Sequence, residues 1–86
     1  MGFVLFQQEV RAMQLIDEVR QSRRLPSPQM ARLIRVSAGV SQERLARELG
    51  VHRVTIARWE TGERSPRGLT RALYAELLEK LHKAVA

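Results

Sequence analysis

The sequence predicts an all-α domain, a five-helix bundle, and three observations carry that expectation. Apolar residues recur every three or four positions along most of the chain, the spacing that puts them on one face of a helix. These runs are punctuated by residues that start and stop helices: Ser27-Pro28 and Ser41 at beginnings, Gly39, Gly50 and Gly62 at ends. No stretch alternates β-branched and polar residues as a half-buried strand does. With 86 residues the chain makes one small domain, too small to wall off a large active site.

Met1 to Phe6 is apolar but too short to span a bilayer, and no basic residue precedes it as a secretory signal requires. Phe6 also stands where a myristoylation signal has Ser or Thr. Over about 4–22, Phe6, Val10, Met13, Ile16 and Val19 form a stripe among charged residues, which predicts an amphipathic helix. Its stripe packs either on its own domain or on a partner, a second copy or another protein. Pro26 disfavours helix at Leu25, so 22–27 reads as a linker in which Arg23 and Arg24 either touch a DNA backbone or, the favoured reading, are simply solvated. The chain therefore divides into 1–27, helix and linker, and 28–86, the main domain.

Ser27 as N-cap and Pro28 at the first helical position announce a helix over 28–38, expected to bury Met30, Leu33, Ile34 and Ala38 and to stop at Gly39. Ser41 caps the next, 42–49, with Leu45, Ala46 and Leu49 on one face. Gly50 can take a left-handed C-cap without steric cost, so the chain turns within Leu49 to His52 into a helix over 53–61. There Ile56 and Trp59 fall inward with Thr55 and Glu60 at their margins. Trp59, on the inner stripe, reads as core rather than as a platform for stacked bases. A last helix, 67–84, carries Leu69, Ala72, Leu73, Leu77 and Leu81, with Val85 following at its end, joined by Tyr74 and Leu78. That exceeds one stripe, and the surplus is either a seat for the N-terminal helix or a subunit interface. A homodimer would use Leu73, Leu77, Leu78 and Leu81, or the N-terminal helix.

The formal charge is +6 and the chain has no Cys. Thiolate metal sites and disulfides are thereby excluded, and two widely separated histidines make no metal site. No metal and no cofactor are expected. No carboxylate pair, activated nucleophile or Gly-rich phosphate loop is visible, so an enzyme is not expected either. The positive charge is concentrated: residues 29–68 hold eight Arg against four acids. An acidic partner suits that balance, and Arg forks onto phosphates and guanine edges better than Lys.

The outward face of 53–61 sharpens this. Arg53, Val54, Ala57, Arg58 and Thr61 lie there with no acid among them, although a solvated helix face normally mixes both signs. Small side chains between arginines allow close approach to a duplex, where Arg meets guanine O6 and N7 and methyl groups meet thymine.

From Ser41 to Gly62 the chain resembles the helix-turn-helix of the phage-repressor family, the Cro/repressor or XRE group. The matching residues are Gln42, Leu45-Ala46, Leu49-Gly50, Ile56, Trp59-Glu60 and Gly62, within a likeness running roughly from Pro28 to Leu78. The resemblance implies a lambda-repressor-like DNA-binding domain that places helix 53–61 in the major groove of double-stranded DNA. Arg53, Val54, Thr55 and Arg58 would then read bases, while Gln42, Arg44, His52, Thr61, Arg64 and Arg67 would hold the DNA backbone. It also implies an ion pair between Arg35 and Glu60. Arg47, by contrast, is expected to pair with Glu43 or another acid as readily as to touch DNA. His52 departs from the family's Ser or Thr at that position, and the long last helix and added N-terminal helix are departures too. The expected function is a sequence-specific transcriptional regulator, a small phage- or plasmid-type repressor acting in the cytoplasm. The alternative is an antitoxin that represses its operon and binds a toxin through a terminal helix, with no membrane partner in either case.

Overall fold

The computed structural model describes Arg11, Ala12, Leu15 and residues 24–85. Arg11, Ala12 and Leu15 are helical and exposed; the rest of the helix expected over 4–22 lies outside the described residues. Among the described residues the longer helices are α1 (Pro28–Ser37), α2 (Gln42–Leu49), α3 (Arg53–Thr61) and α4 (Gly68–Val85), and there is no strand.

Local chemistry sets the boundaries. Ser27 Oγ accepts from the Met30 amide at 3.2 Å with Pro28 at the first position of α1, and Ser41 Oγ accepts from the Arg44 amide at 3.0 Å. Each hydroxyl satisfies a donor that a helix start leaves without a partner. Gly50 ends α2 at φ 68°, a left-handed conformation that costs a side-chain-bearing residue about 1–2 kcal/mol. Nothing lies within 4 Å of where its Cβ would be, so the requirement for glycine there is one of backbone conformation alone.

The helices close on one core. α1 packs on α3 and α4, while α2 packs on α3 and touches α4. Ala31, Ile34, Leu45, Ala46, Ile56, Trp59, Tyr74 and Leu78 fill the centre. Trp59 stacks on Tyr74 with ring centroids 4.9 Å apart and planes tilted by 39°, which fixes α3 against α4. The Tyr74 hydroxyl is buried with no hydrogen-bond partner. Burial, reinforced by the negative charge of Glu60, pushes this phenol up to about 12.

Two faces differ from expectation. α1 buries Ala31, Ile34 and Arg35 and leaves Met30 and Leu33 outside, Leu33 being 57% exposed. The cause is Arg35: its guanidinium reaches inward to Glu60, and that contact rotates α1 so that the side opposite carries Leu33. In α4 the buried side is Ala72, Tyr74, Ala75 and Leu78, with Leu69, Leu73 and Val85 exposed. The two alanines let α4 approach closely. Leu78, expected at a dimer surface, is 0% exposed and belongs to the core; Leu77 and Leu81 pack at its edge.

Candidate nucleic-acid interface

The Gly50 turn sets α3 across α2, and Ile56, Trp59 and Glu60 anchor it from behind. Of the residues expected to read bases, Arg53, Val54 and Arg58 are exposed, Val54 by 49%, and Thr55 is half-buried. Arg58 Nε lies 3.9 Å from Glu63 Oε2, a loose and solvated pair. His52 takes the N-cap position of α3 in extended conformation and its side chain makes no capping bond. The first-turn donors of α3 therefore lack a side-chain partner, and the exposed imidazole stands beside them.

Behind this surface runs a chain of hydrogen bonds. Arg35 Nε and Nη2 donate to Glu60 Oε2 and Oε1 at 2.6 and 2.9 Å, a forked pair with side chains only 10% and 2% exposed. Arg35 Nη1 also donates to the Val40 carbonyl at 2.8 Å. Gln42 Nε2 donates to Glu60 Oε1 at 3.0 Å, and Arg53 Nη1 donates to Gln42 Oε1 at 3.2 Å. The first residue of α3 is thus tied through one amide to the core ion pair. Burial by itself would raise the Glu60 carboxyl. Hydrogen bonds from Arg35 and Gln42, with the charges of Arg35 and Arg32, outweigh it and hold the group below its ordinary value. The Arg35 guanidinium is raised in turn, chiefly by its hydrogen bond to Glu60. The one carboxylate carried by α3 itself is therefore ion-paired and turned inward, where it does not oppose an incoming anion.

The expected backbone contacts are distributed unevenly. Arg64 and Arg67 are exposed beside the end of α3, the Arg64 amide bonding to the Arg58 carbonyl at 3.2 Å. Thr61 Oγ1 donates to the Arg58 carbonyl at 3.1 Å, so its proton is spent locally. Arg44, exposed, pairs with Glu48, Nη2 to Oε1 2.9 Å, and the Gln42 amide is occupied on both sides. Two arginines not assigned to DNA contact in the sequence line clefts beside the start of α3. Arg47 lines a cleft with His52 and Arg53, and Arg32 of α1 lines another with Gln42, Arg53 and Thr61. Arg47 could have been found from its place one turn above the α2–α3 link; Arg32 carries no signal in sequence, because only the docking of α1 brings it to α3.

A family model described as helix-turn-helix matches residues 32–82, from within α1 to within α4 and more than half of the chain. The chain belongs to the XRE-type helix-turn-helix family. Helix-turn-helix proteins of this kind are DNA-binding transcription regulators rather than enzymes, and α2 and α3 are the two helices of the motif. Comparison with curated proteins and with solved structures found no match to this helix-turn-helix chain. Among the described residues no group of three or more His, Cys, Asp and Glu is placed to hold a metal ion, and no helix is long and apolar enough to cross a membrane. Away from α3, an apolar groove of Leu49, Leu73 and Leu77 between α2 and α4 is rimmed by Glu48, Glu76 and Lys80.

Proposed function

We propose that this helix-turn-helix protein is a sequence-specific repressor of phage or plasmid type that reads the major groove of double-stranded DNA with α3. The observation that carries the reading is the polarity of α3: Ile56, Trp59 and Glu60 are buried, while Arg53, Val54 and Arg58 stand outward with no acid on the same helix face. Arg53 and Arg58 supply the fork for guanine, and Val54 and Thr55 supply methyl contacts. Arg64, Arg67, His52 and the amides at the start of α2 beside Gln42 position the backbone without reading sequence. Arg44, engaged by Glu48, contributes to the general positive field, and Thr61 shapes the edge of the surface.

Repression of this type works by occupancy, and two copies joined along Leu73, Leu77 and Leu81 would present two α3 helices to one face of a duplex. Footprinting on the DNA that flanks the protein's own gene tests the proposal. A protected stretch with two half-sites about 34 Å apart, or a multiple of that, supports it. Protection that spreads evenly over any sequence contradicts it. The antitoxin reading keeps one observation in its favour, the groove of Leu49, Leu73 and Leu77, which a toxin could occupy in place of a second copy. Co-purification with the product of a neighbouring gene supports that reading; a protein that purifies alone as a folded, operator-binding dimer opposes it.

A further inference from the structure

The charged groups that α3 turns outward are hydrogen-bond donors. Arg53 and Arg58 are exposed and offer only N–H groups, and the helix, Arg53–Thr61, contains no Asn or Gln. Its one carboxylate, Glu60, is 2% exposed and taken by Arg35 and Gln42. The Gln42 side-chain carbonyl already accepts from Arg53 at 3.2 Å. Thr61 donates to the Arg58 carbonyl, and Thr55 is half-buried with a hydroxyl that donates and accepts alike, so neither singles out a base. Glu63 lies in the loop beyond α3 and faces Arg58 Nε at 3.9 Å.

That inventory limits which base edges the helix tells apart. The amino groups of adenine and cytosine are donors and need an acceptor, which no carboxylate or amide of α3 supplies on the outward face. Guanine presents O6 and N7 to a guanidinium, and a pyrimidine with a C5 methyl presents an apolar group. Val54, 49% exposed, is the large apolar side chain of that face. It stands one turn before Arg58, the spacing that sets two side chains next to each other. A C5 methyl occurs on thymine and on 5-methylcytosine. The 5-methylcytosine·guanine pair supplies both the methyl for Val54 and the O6 and N7 acceptors for an arginine, whereas thymine·adenine adds an adenine amino group that finds no dedicated acceptor on α3.

We infer that Val54 reads the C5 methyl of a pyrimidine whichever base carries it, so that duplex DNA methylated at cytosine C5 is at least as good a ligand of this surface as a thymine·adenine pair at the same position. The inference rests on the DNA reading of α3 and deepens it: methylated cytosine becomes a base this helix recognises, and methylation of a site changes the affinity for it. Burial of one methyl group against Val54 is worth about fourfold in binding.

The test is selection from randomised duplex pools of three kinds: natural, with deoxyuridine in place of thymidine, and with 5-methyldeoxycytidine in place of deoxycytidine. Val54→Ala in the natural pool marks the position that Val54 faces, as the one where preference is lost while the guanine positions persist; their persistence also shows that the variant is folded. Wild type is expected to choose thymine there about fourfold over cytosine in the natural pool and to lose that preference in the deoxyuridine pool. In the methylated pool it should take 5-methylcytosine at least as often as thymine. Undiminished choice of deoxyuridine over cytosine overturns the inference, because O4 rather than the methyl is then read. Thymine favoured over 5-methylcytosine as strongly as over cytosine overturns it for the same reason, and so does a Val54→Ala protein that selects as wild type does. In each of these cases guanine positions that still depend on Arg53 and Arg58 leave the DNA reading standing. Enrichment of no sequence from any pool removes the DNA reading, and this inference with it.

Discussion

Replacing Arg35 by Met should reverse the response of stability to acid. In the native protein the Glu60 carboxylate is 2% exposed and accepts two bonds from Arg35 and one from Gln42. Arg35→Met keeps an apolar stem in the same space but leaves that charge buried with one neutral donor, and breaking a buried pair in this way costs about 3–5 kcal/mol. A domain of this size has about 5–10 kcal/mol in total, so the variant is folded but marginal at pH 7. The sign with pH follows from linkage. In wild type the folded-state carboxyl lies below its ordinary value, so its contribution is present above the unfolded-state value near 4.3 and is lost as pH falls through the folded one. Without Arg35, burial dominates and raises the group above its unfolded value; the folded variant then binds the proton more tightly and gains stability as pH falls from 7 towards 5. Urea denaturation at pH 7, 6 and 5 reads both effects. Arg35→Met/Glu60→Leu should return to within about 1 kcal/mol of wild type, because an apolar pair of similar volume removes the uncompensated charge. A cost below about 1 kcal/mol for Arg35→Met, together with an unaltered pH trend, would refute the role assigned to this pair.

Four other outcomes are expected. Tyr74→Phe removes a buried hydroxyl that has no partner and should be neutral or stabilising by about 1 kcal/mol in thermal or urea melts, whereas a marked loss would mean the hydroxyl is bonded. Tyr74 is the only tyrosine in the chain, so absorbance at 295 nm should show it ionising at about 12 while the fold persists, with stability declining above pH 10; half-titration near pH 10 in folded protein would contradict its burial. Gly50→Ala should cost about 1–2 kcal/mol through backbone conformation alone, with no gain from added contacts, and Gly50→Asn should cost less. Gln42→Ala frees the Arg53 guanidinium from its anchor and should reduce discrimination between preferred and random DNA by about 1 kcal/mol while the salt slope stays unchanged.

The helix boundaries of the motif were legible because their causes are local. Ser41, Gly50 and Gly62 act within a turn of where they stand, and α2 and α3 run between them as the caps dictate. Trp59 was placed inside by periodicity alone, and it stacks on Tyr74 there. Sequence was a poorer guide wherever a distant partner decided the outcome. Met30 and Leu33 of α1 form an apolar pair on paper, but the reach of Arg35 to Glu60, 25 residues away, outweighs their burial. Leu73 and Leu78 are indistinguishable as letters; the close approach of α4 through Ala72 and Ala75 puts Leu78 in the core and leaves Leu73 outside. Among the charges, Glu43 and Arg47 have the helical spacing and order that favour a pair, yet Arg44 with Glu48 forms one and Arg47 turns to the cleft beside His52. The convergence of Arg32 on Arg53 depends on how α1 docks, which no local pattern encodes.

The most direct test of the reading of α3 is selection of preferred duplexes from a randomised pool by wild type, Arg53→Ala, Arg58→Ala and Arg64→Ala. The account predicts that wild type and Arg64→Ala select the same sequence, the latter with lower affinity, while Arg53→Ala and Arg58→Ala each lose preference at their own position, at a cost of about 1–3 kcal/mol in discrimination. If all four proteins select one and the same sequence with equal stringency, the outward face of α3 does not read DNA.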